Sequence, residues 1–278
     1  MKIKLKYMPD RESGKWLGYE IGKEQFTRED GTTVVDTAKA SYYMMVNYGK
    51  LNPSELPNVW PEECELRTPV LGIGQLMFES GQKLLKLTGT IPDSSGVVLD
   101  DVNGVGRMLH YMSDPSENNP LLCGEHKDHG LITALLSPFY TQDGKPIPEP
   151  DEAGLFVQPP HSDKYLKVAS NDPEVLLFQA GEFAQLATNS GMQATNGGMQ
   201  ATKHLVRKAA QVGIERFTMA VFIGPDNNAA IRSTDTLTTD PRYAECLAKS
   251  GDGTCRYPDW HIASMKKYEA PKPAPLNK

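Results

Sequence analysis

"CGEHKDHGLITALL", residues 123–136, puts two histidines and an aspartate within four positions and then turns apolar. A polar turn before a core strand, a metal-ligand pair and an acid–base pair would each produce such a stretch. On a strand, alternate side chains share a face, so His126 and Asp128 project together while Lys127 and His129 face the other way. One imidazole beside one carboxylate is half of a metal site. The His126–His129 spacing alone would suggest zinc, but the pair faces opposite sides of a strand and no glutamate follows as in a helical zinc protease motif.

The flanking sequence has the same strand character. "GRMLHYM", "GLITALLS", "GLFVQ", "KYLKVAS", "EVLLFQAG", "TKHLVRK" and "RFTMAVFI" follow one another after residue 100, separated by "SDPSENNP", "TQDGKPIPEPDEAG" and "PPHSD". Many short runs punctuated by Gly, Pro, Asn and Asp predict a mainly β sandwich or barrel rather than alternating β–α units. Upstream, "VLGIGQLMFESGQKLLKLTG" (70–89) carries Leu71, Leu76, Met77, Leu84 and Leu85 at helical intervals, which predicts a core-facing amphipathic helix ended by "TG". The expected organisation is a flanking region over 1–95, a β-core over 96–235, and a C-terminal helix with a disordered Pro- and Lys-rich tail over 236–278. "ATNSGMQ" (187–193) is repeated as "ATNGGMQ" (194–200), a local duplication too short for a solenoid unit.

The 278 residues suffice for a substantial core, and a net charge of -6 argues against a nucleic-acid partner. Four scattered cysteines without a CxxC pair read as reduced thiols. The charged N-terminus lacks a signal-peptide core, and no stretch has the apolar length of a membrane span. These features predict a cytoplasmic protein with no membrane partner.

Two further segments complete the pattern. "QATKHLVRK" offers His204 on a second strand. Two histidines and one carboxylate on one side of an octahedron form the facial triad of non-haem iron enzymes, which leaves the opposite side open. In "ERFTMAVFIGP", both strand faces are apolar except for Arg216 and Thr218, which share one. A buried arginine needs an anion, either an internal Asp or Glu or the carboxylate of a ligand.

Together these segments resemble the Fe(II)/2-oxoglutarate-dependent dioxygenases, in the branch that includes isopenicillin N synthase. "HKDHGLIT" is similar to the family's H-x-D-x-G-x-x-T signature, "TNGGMQATKHLV" to its T-N-G…A-T-x-H-R-V segment, "RFT" to R-x-S, and "LPNVWPEE" to N-P-x-x-W-P. The likeness spans about residues 15–235. It implies a double-stranded β-helix (jelly-roll) core with flanking α-helices. It assigns iron to His126, Asp128 and His204, and 2-oxoglutarate to Arg216, Thr218 and, in "MLHYM", Tyr111. The implied cofactors are Fe(II), 2-oxoglutarate and dioxygen, with ascorbate as an accessory reductant. The implied activity is hydroxylation or desaturation of a small organic substrate, with decarboxylation of 2-oxoglutarate to succinate.

The sequence also departs from the family. It joins the pattern part-way, at "KWLGYEIGKEQF", so a shortened N-terminal portion is expected, and a homo-oligomer would cover the apolar surface this exposes. The duplication directly precedes His204, and H-R-V has become "HLV". Two alternatives therefore stay open: an iron oxidase of the same fold that works without 2-oxoglutarate, and a truncated, catalytically silent binding protein.

Overall fold

The computed structural model describes residues 2–10, 15–22, 25–27, 33–89, 91, 95–113, 120–169, 172–188, 199–232 and 241–265. Both copies of the duplication fall largely outside this set, as does the C-terminal tail.

Two antiparallel sheets face one another. The larger places β1 (Gly18–Ile21), β4 (Lys39–Asn47), β5 (Asn103–Tyr111), β14 (Ile214–Gly224), β7 (Ile132–Leu136) and β12 (Leu176–Ala180) side by side, with β8 (Phe139–Gln142) and β9 (Lys145–Ile147) extending it beyond β14. The smaller runs β11 (Leu166–Lys167), β10 (Gly154–Gln158), β13 (Lys203–Arg207), β6 (Leu121–His126). Two short ladders join β2 (Gln25–Thr27) to β3 (Thr33–Val35) and β15 (Ala230–Arg232) to β16 (Thr254–Arg256). This is the expected jelly-roll, and strands from either side of residue 95 share its larger sheet. Among the described residues, no helix is long and apolar enough to cross a membrane.

The predicted helix runs from Arg67 to Thr88 and stops where Gly89 takes a left-handed conformation (φ 59°). Its buried stripe is Val70, Gly74, Met77, Phe78, Gly81 and Leu85. Leu76, expected in the core, is instead 55% exposed. The stripe is set by glycines that the hydrophobic periodicity passes over. A Cβ on Gly74 would stand 2.5 Å from Val46 Cγ1, and one on Gly81 2.4 Å from Ile223 Cδ1, so the helix lies flush against the larger sheet. Met77 and Leu85 are fully buried there, each worth about 1.5–3 kcal/mol.

This helix covers one face of the larger sheet, through Met44, Val46, Met219, Val221 and Ile223. The pleat sends Lys39, Tyr111 and Arg216, which are paired across β4, β5 and β14, to the other face, toward the smaller sheet.

A second cover comes from the C-terminus, where helices Pro241–Ser250 and Tyr257–Met265 flank β16. Trp260 is completely buried. It stacks on Tyr243 and Tyr257 and meets Phe183 and His129 edge-on. Cys246 and Cys255 are joined by a disulfide with Cα atoms 5.5 Å apart. This corrects the expectation of four reduced thiols: the fold brings together two cysteines whose nine-residue separation is no recognised motif. Cys64 and Cys123 are not in a disulfide.

Candidate metal centre

His126 ends β6, His204 lies on β13, and the two are directly paired across the smaller sheet. Their rings are 4.2 Å apart between centroids. Asp128 lies not on the strand but just after it, where its backbone is fixed by the segment that follows β12, at the start of the short helix Glu182–Ala187. Its carbonyl accepts the amide of Glu182 (2.7 Å), the carbonyl of His129 accepts the amide of Phe183 (3.1 Å), and that of Leu131 accepts the amide of Gly181 (3.0 Å). Two glycines make this approach possible. A Cβ on Gly181 would fall 2.1 Å from the carbonyl oxygen of Gly130, and one on Gly130 2.7 Å from that of Ile223. The Gly of "HKDHG" is thus a steric requirement for placing Asp128.

The side chains converge as expected. The Nε2 atoms of His126 and His204 each lie 3.6 Å from Asp128 Oδ1, and one ligand atom from each of the three residues lies within 4.8 Å of the others. Each ring is oriented through its far nitrogen. Nδ1 of His126 is 2.8 Å from the carbonyl of Gly124, and Nδ1 of His204 is 3.0 Å from that of Thr202. An Nδ1–H donating to a carbonyl leaves Nε2 as the lone-pair nitrogen, the arrangement that metal-ligating histidines use. This donor set fits a single divalent ion. Gln179 Nε2 donates to Asp128 Oδ2 (3.4 Å), and Thr133 helps to keep the carboxylate ionised.

The electrostatics match. Burial opposes ionisation of Asp128, but hydrogen bonding to His126, the charge interaction with both imidazoles, and Thr133 hold its carboxyl down at about 2. Burial lowers the pKa of His204 despite Asp128, which favours a neutral imidazole. Burial also acts to lower that of His126, but Cys123 and Asp128 outweigh it and raise it well above the ordinary value.

Arg216 is 6% exposed on the inward face of β14. Its Nε donates to the Tyr140 hydroxyl (3.2 Å), and its guanidinium lies 5.4 Å from the centre of the Tyr111 ring. Among the described residues, no carboxylate pairs with it. Thr218 shares that face, but its hydroxyl donates to the carbonyl of Leu136 (3.0 Å) rather than standing beside the guanidinium as a free donor. Tyr140 occupies that place. Burial pushes its hydroxyl up to about 12, against the influence of Arg216, so it stays neutral and able to donate. Tyr111 is buried, and burial raises its pKa as well.

His129 points away from the cluster, as strand alternation suggests, into the ring contacts with Trp260 and His261. Several residues beside the site were not singled out from sequence. Thr133 could have been, because it is the threonine of "HKDHGLIT". Gln179, Tyr140 and Lys39 carry no local signal.

No protein-family model matches the sequence, and no curated protein matches it at a significant level. Solved structures do. A full-length Neurospora crassa protein, solved in complex with alpha-KG, superposes with a TM-score of 0.58 at 18% identity, over 96% of this chain and 77% of that one. JOX2 in complex with 2OG, Fe and JA gives 0.57 at 15%, over 98% and 74%. The dioxygenase for auxin oxidation from rice gives 0.50 at 16%, over 89% and 72%. The chain therefore has the fold of the 2-oxoglutarate/iron(II) oxygenases.

Proposed function

We propose that this protein is an iron(II)- and 2-oxoglutarate-dependent oxygenase acting on a small organic molecule, with His126, Asp128 and His204 as the iron ligands. The reading rests above all on one coincidence. Two imidazoles and one carboxylate cluster between the sheets, and a buried arginine that no described carboxylate neutralises also faces inward from the larger sheet. An unpaired buried charge is costly and persists where a ligand completes it. A dicarboxylate that meets the metal at one end and Arg216 at the other satisfies both features, and the Neurospora crassa protein of the same fold is solved with alpha-KG.

When bound, iron(II) and 2-oxoglutarate supply the oxidation: 2-oxoglutarate, dioxygen and a C–H substrate yield succinate, carbon dioxide and the hydroxylated product. The chain's part is to position and to seal. Arg216 and Tyr140 give the far carboxylate two donors, and Thr218 and Tyr111 line its path. Gln179 and Thr133 hold the Asp128 carboxylate, so that one of its oxygens faces both imidazoles. The aliphatic and aromatic residues of the inward face keep water away from the reacting atoms. A cytoplasmic setting, where both cofactors are available, belongs to the same proposal.

The test is an anaerobic titration with Fe(II) and then 2-oxoglutarate, following the visible charge-transfer band of the chelate. The expected band is present in the unmodified protein and absent from Asp128→Ala. Iron binding without a band would replace this reading with an iron oxidase that does not use 2-oxoglutarate. Failure to bind iron would leave a silent relative.

A further inference from the structure

An amine and a thiol from opposite sheets meet beside the metal cluster. Lys39 opens β4 of the larger sheet and is 5% exposed, with Nζ 5.6 Å from the centre of the Tyr111 ring. Its Nζ also lies 3.6 Å from Sγ of Cys123, on β6 at the edge of the smaller sheet and 84 residues away in sequence. The same sulfur is 3.8 Å from His126 Nδ1.

This meeting is built by an irregularity in the smaller sheet. His204 pairs with His126 and Val206 with Cys123, so a step of two residues on β13 spans three on β6. The extra residue is a β-bulge, and bulges re-aim side chains. On a regular strand, positions three apart face opposite ways. Across the bulge, Cys123 turns to the same side as His126, toward Lys39. Gly124 lies inside the bulge, and its carbonyl is the group that orients His126 (2.8 Å).

We infer that Lys39 and Cys123 form a peroxide-responsive modification site, at which oxidation joins the two sheets through a sulfur–nitrogen bond and loosens the metal cluster. Hydrogen peroxide converts the Cys123 thiol to a sulfenic acid and releases one water. The Lys39 amine then attacks the sulfur. The S–N bond forms, the S–O bond breaks, and the departing hydroxyl leaves as a second water with a proton from the amine. Sulfur gives up the two electrons that peroxide takes, and the joined pair is two hydrogens lighter than the reduced one. Sulfenic acids condense in this way with a nitrogen or with a thiol. Here the nitrogen is in place, whereas Cys246 and Cys255 are already joined and Cys64 is exposed. Cys123 itself is half-buried, within reach of a small oxidant. Drawing 3.6 Å down to a bond length is a larger movement than the roughly 0.5 Å that a ligand constellation tolerates. Because Cys123 and His126 bound one bulge, that pull reaches a metal ligand.

The experiment treats the full metal-free chain with hydrogen peroxide and maps its peptides by mass spectrometry. The expected product links the peptide of Lys39 to that of Cys123, two hydrogens below their summed mass, and dithiothreitol reverses it. In Lys39→Arg and Lys39→Met the link should be absent, and Cys123 should go on to the sulfinic acid. Mn(II) calorimetry should find the linked protein weaker by about tenfold or more, as when a group supporting a metal ligand is disturbed, with recovery after dithiothreitol. An unreactive Cys123, or one that reaches the sulfinic acid as fast in the unmodified protein as in Lys39→Arg, would overturn the site. A linked protein with unchanged Mn(II) affinity would overturn its hold on the metal cluster. If Lys39→Met fails to melt cooperatively, Lys39→Arg and the map of the unmodified protein decide. No iron or 2-oxoglutarate is used, so the outcome is independent of the oxygenase reading.

Discussion

Replacing Arg216 with methionine separates a structural arginine from one kept for a ligand. The side chain is 6% exposed, and its contacts are a 3.2 Å bond to the Tyr140 hydroxyl and a cation–π contact at 5.4 Å to Tyr111. Losing both costs about 1–3 kcal/mol. Removing a buried charge that no described carboxylate balances, and filling its place with an apolar chain of similar length, returns a comparable amount. The cofactor-free variant should therefore melt within a few degrees of the unmodified protein, since 1 kcal/mol corresponds to about 2–4 °C in a chain approaching this size. Binding of 2-oxoglutarate should behave very differently. Its far carboxylate would be left buried and unpaired, at a cost of about 2–5 kcal/mol, or roughly 30- to several-thousandfold in affinity. Scanning calorimetry of the metal-free protein and the anaerobic charge-transfer titration measure the two quantities. A melting point lowered by more than about 10 °C with unchanged 2-oxoglutarate affinity would refute the reasoning and make Arg216 a structural residue.

The metal cluster makes a protonic prediction. His126 is pushed well above its ordinary pKa and His204 below its own, so at pH 7 the metal-free site holds one proton, on His126. Binding of Mn(II) should release about one proton and strengthen with rising pH until His126 titrates; equal calorimetric heats in buffers of different ionisation enthalpy would contradict this. Gly181→Ala drives a Cβ into the carbonyl of Gly130, backbone that cannot swing aside, so it should cost about 1–3 kcal/mol and weaken metal binding. Gly72→Ala, with nothing within 4 Å, should be neutral or stabilising in the same melts. Cys255→Ala opens a nine-residue disulfide loop, and the expected loss is about 2–3 kcal/mol of stability with metal affinity retained, measured by denaturant titration and Mn(II) calorimetry.

The residues that were legible in the sequence, and those that were not, differ in a physical way. His126, Asp128, His204 and Arg216 stand out because each is a polar group in an apolar strand context, a local contradiction that a one-dimensional pattern can register. Strand alternation predicted His126 and Asp128 together on one face. They do converge, but by another route, since Asp128 sits beyond the strand end and is held by amides of the segment after β12. Such a hydrogen bond between distant backbone atoms leaves no trace in side-chain periodicity; its one sequence mark is the pair of glycines that permits it. The helix formed as expected, but one residue of its core face was misread for the same reason. Leucine spacing pointed to Leu76, whereas the buried stripe is set by where Gly74 and Gly81 let the helix touch Val46 and Ile223.

Lys39 shows why an inward-facing charge is harder to read from sequence than the metal cluster. It lies in "DTAKASYYMM", where a single lysine in a β-rich run looks like an ordinary solvated charge. Only the register Lys39–Tyr111–Arg216 turns it inward and carries it across to Cys123. Its meaning depends on three strands contributed by segments 72 and 105 residues apart, and no window along the chain contains that information. Metal and 2-oxoglutarate impose the same chemical demand on every protein that uses them, so their ligands fall into repeatable local patterns. A substrate makes a demand on one protein only, and that demand is met wherever the fold has a free inward position.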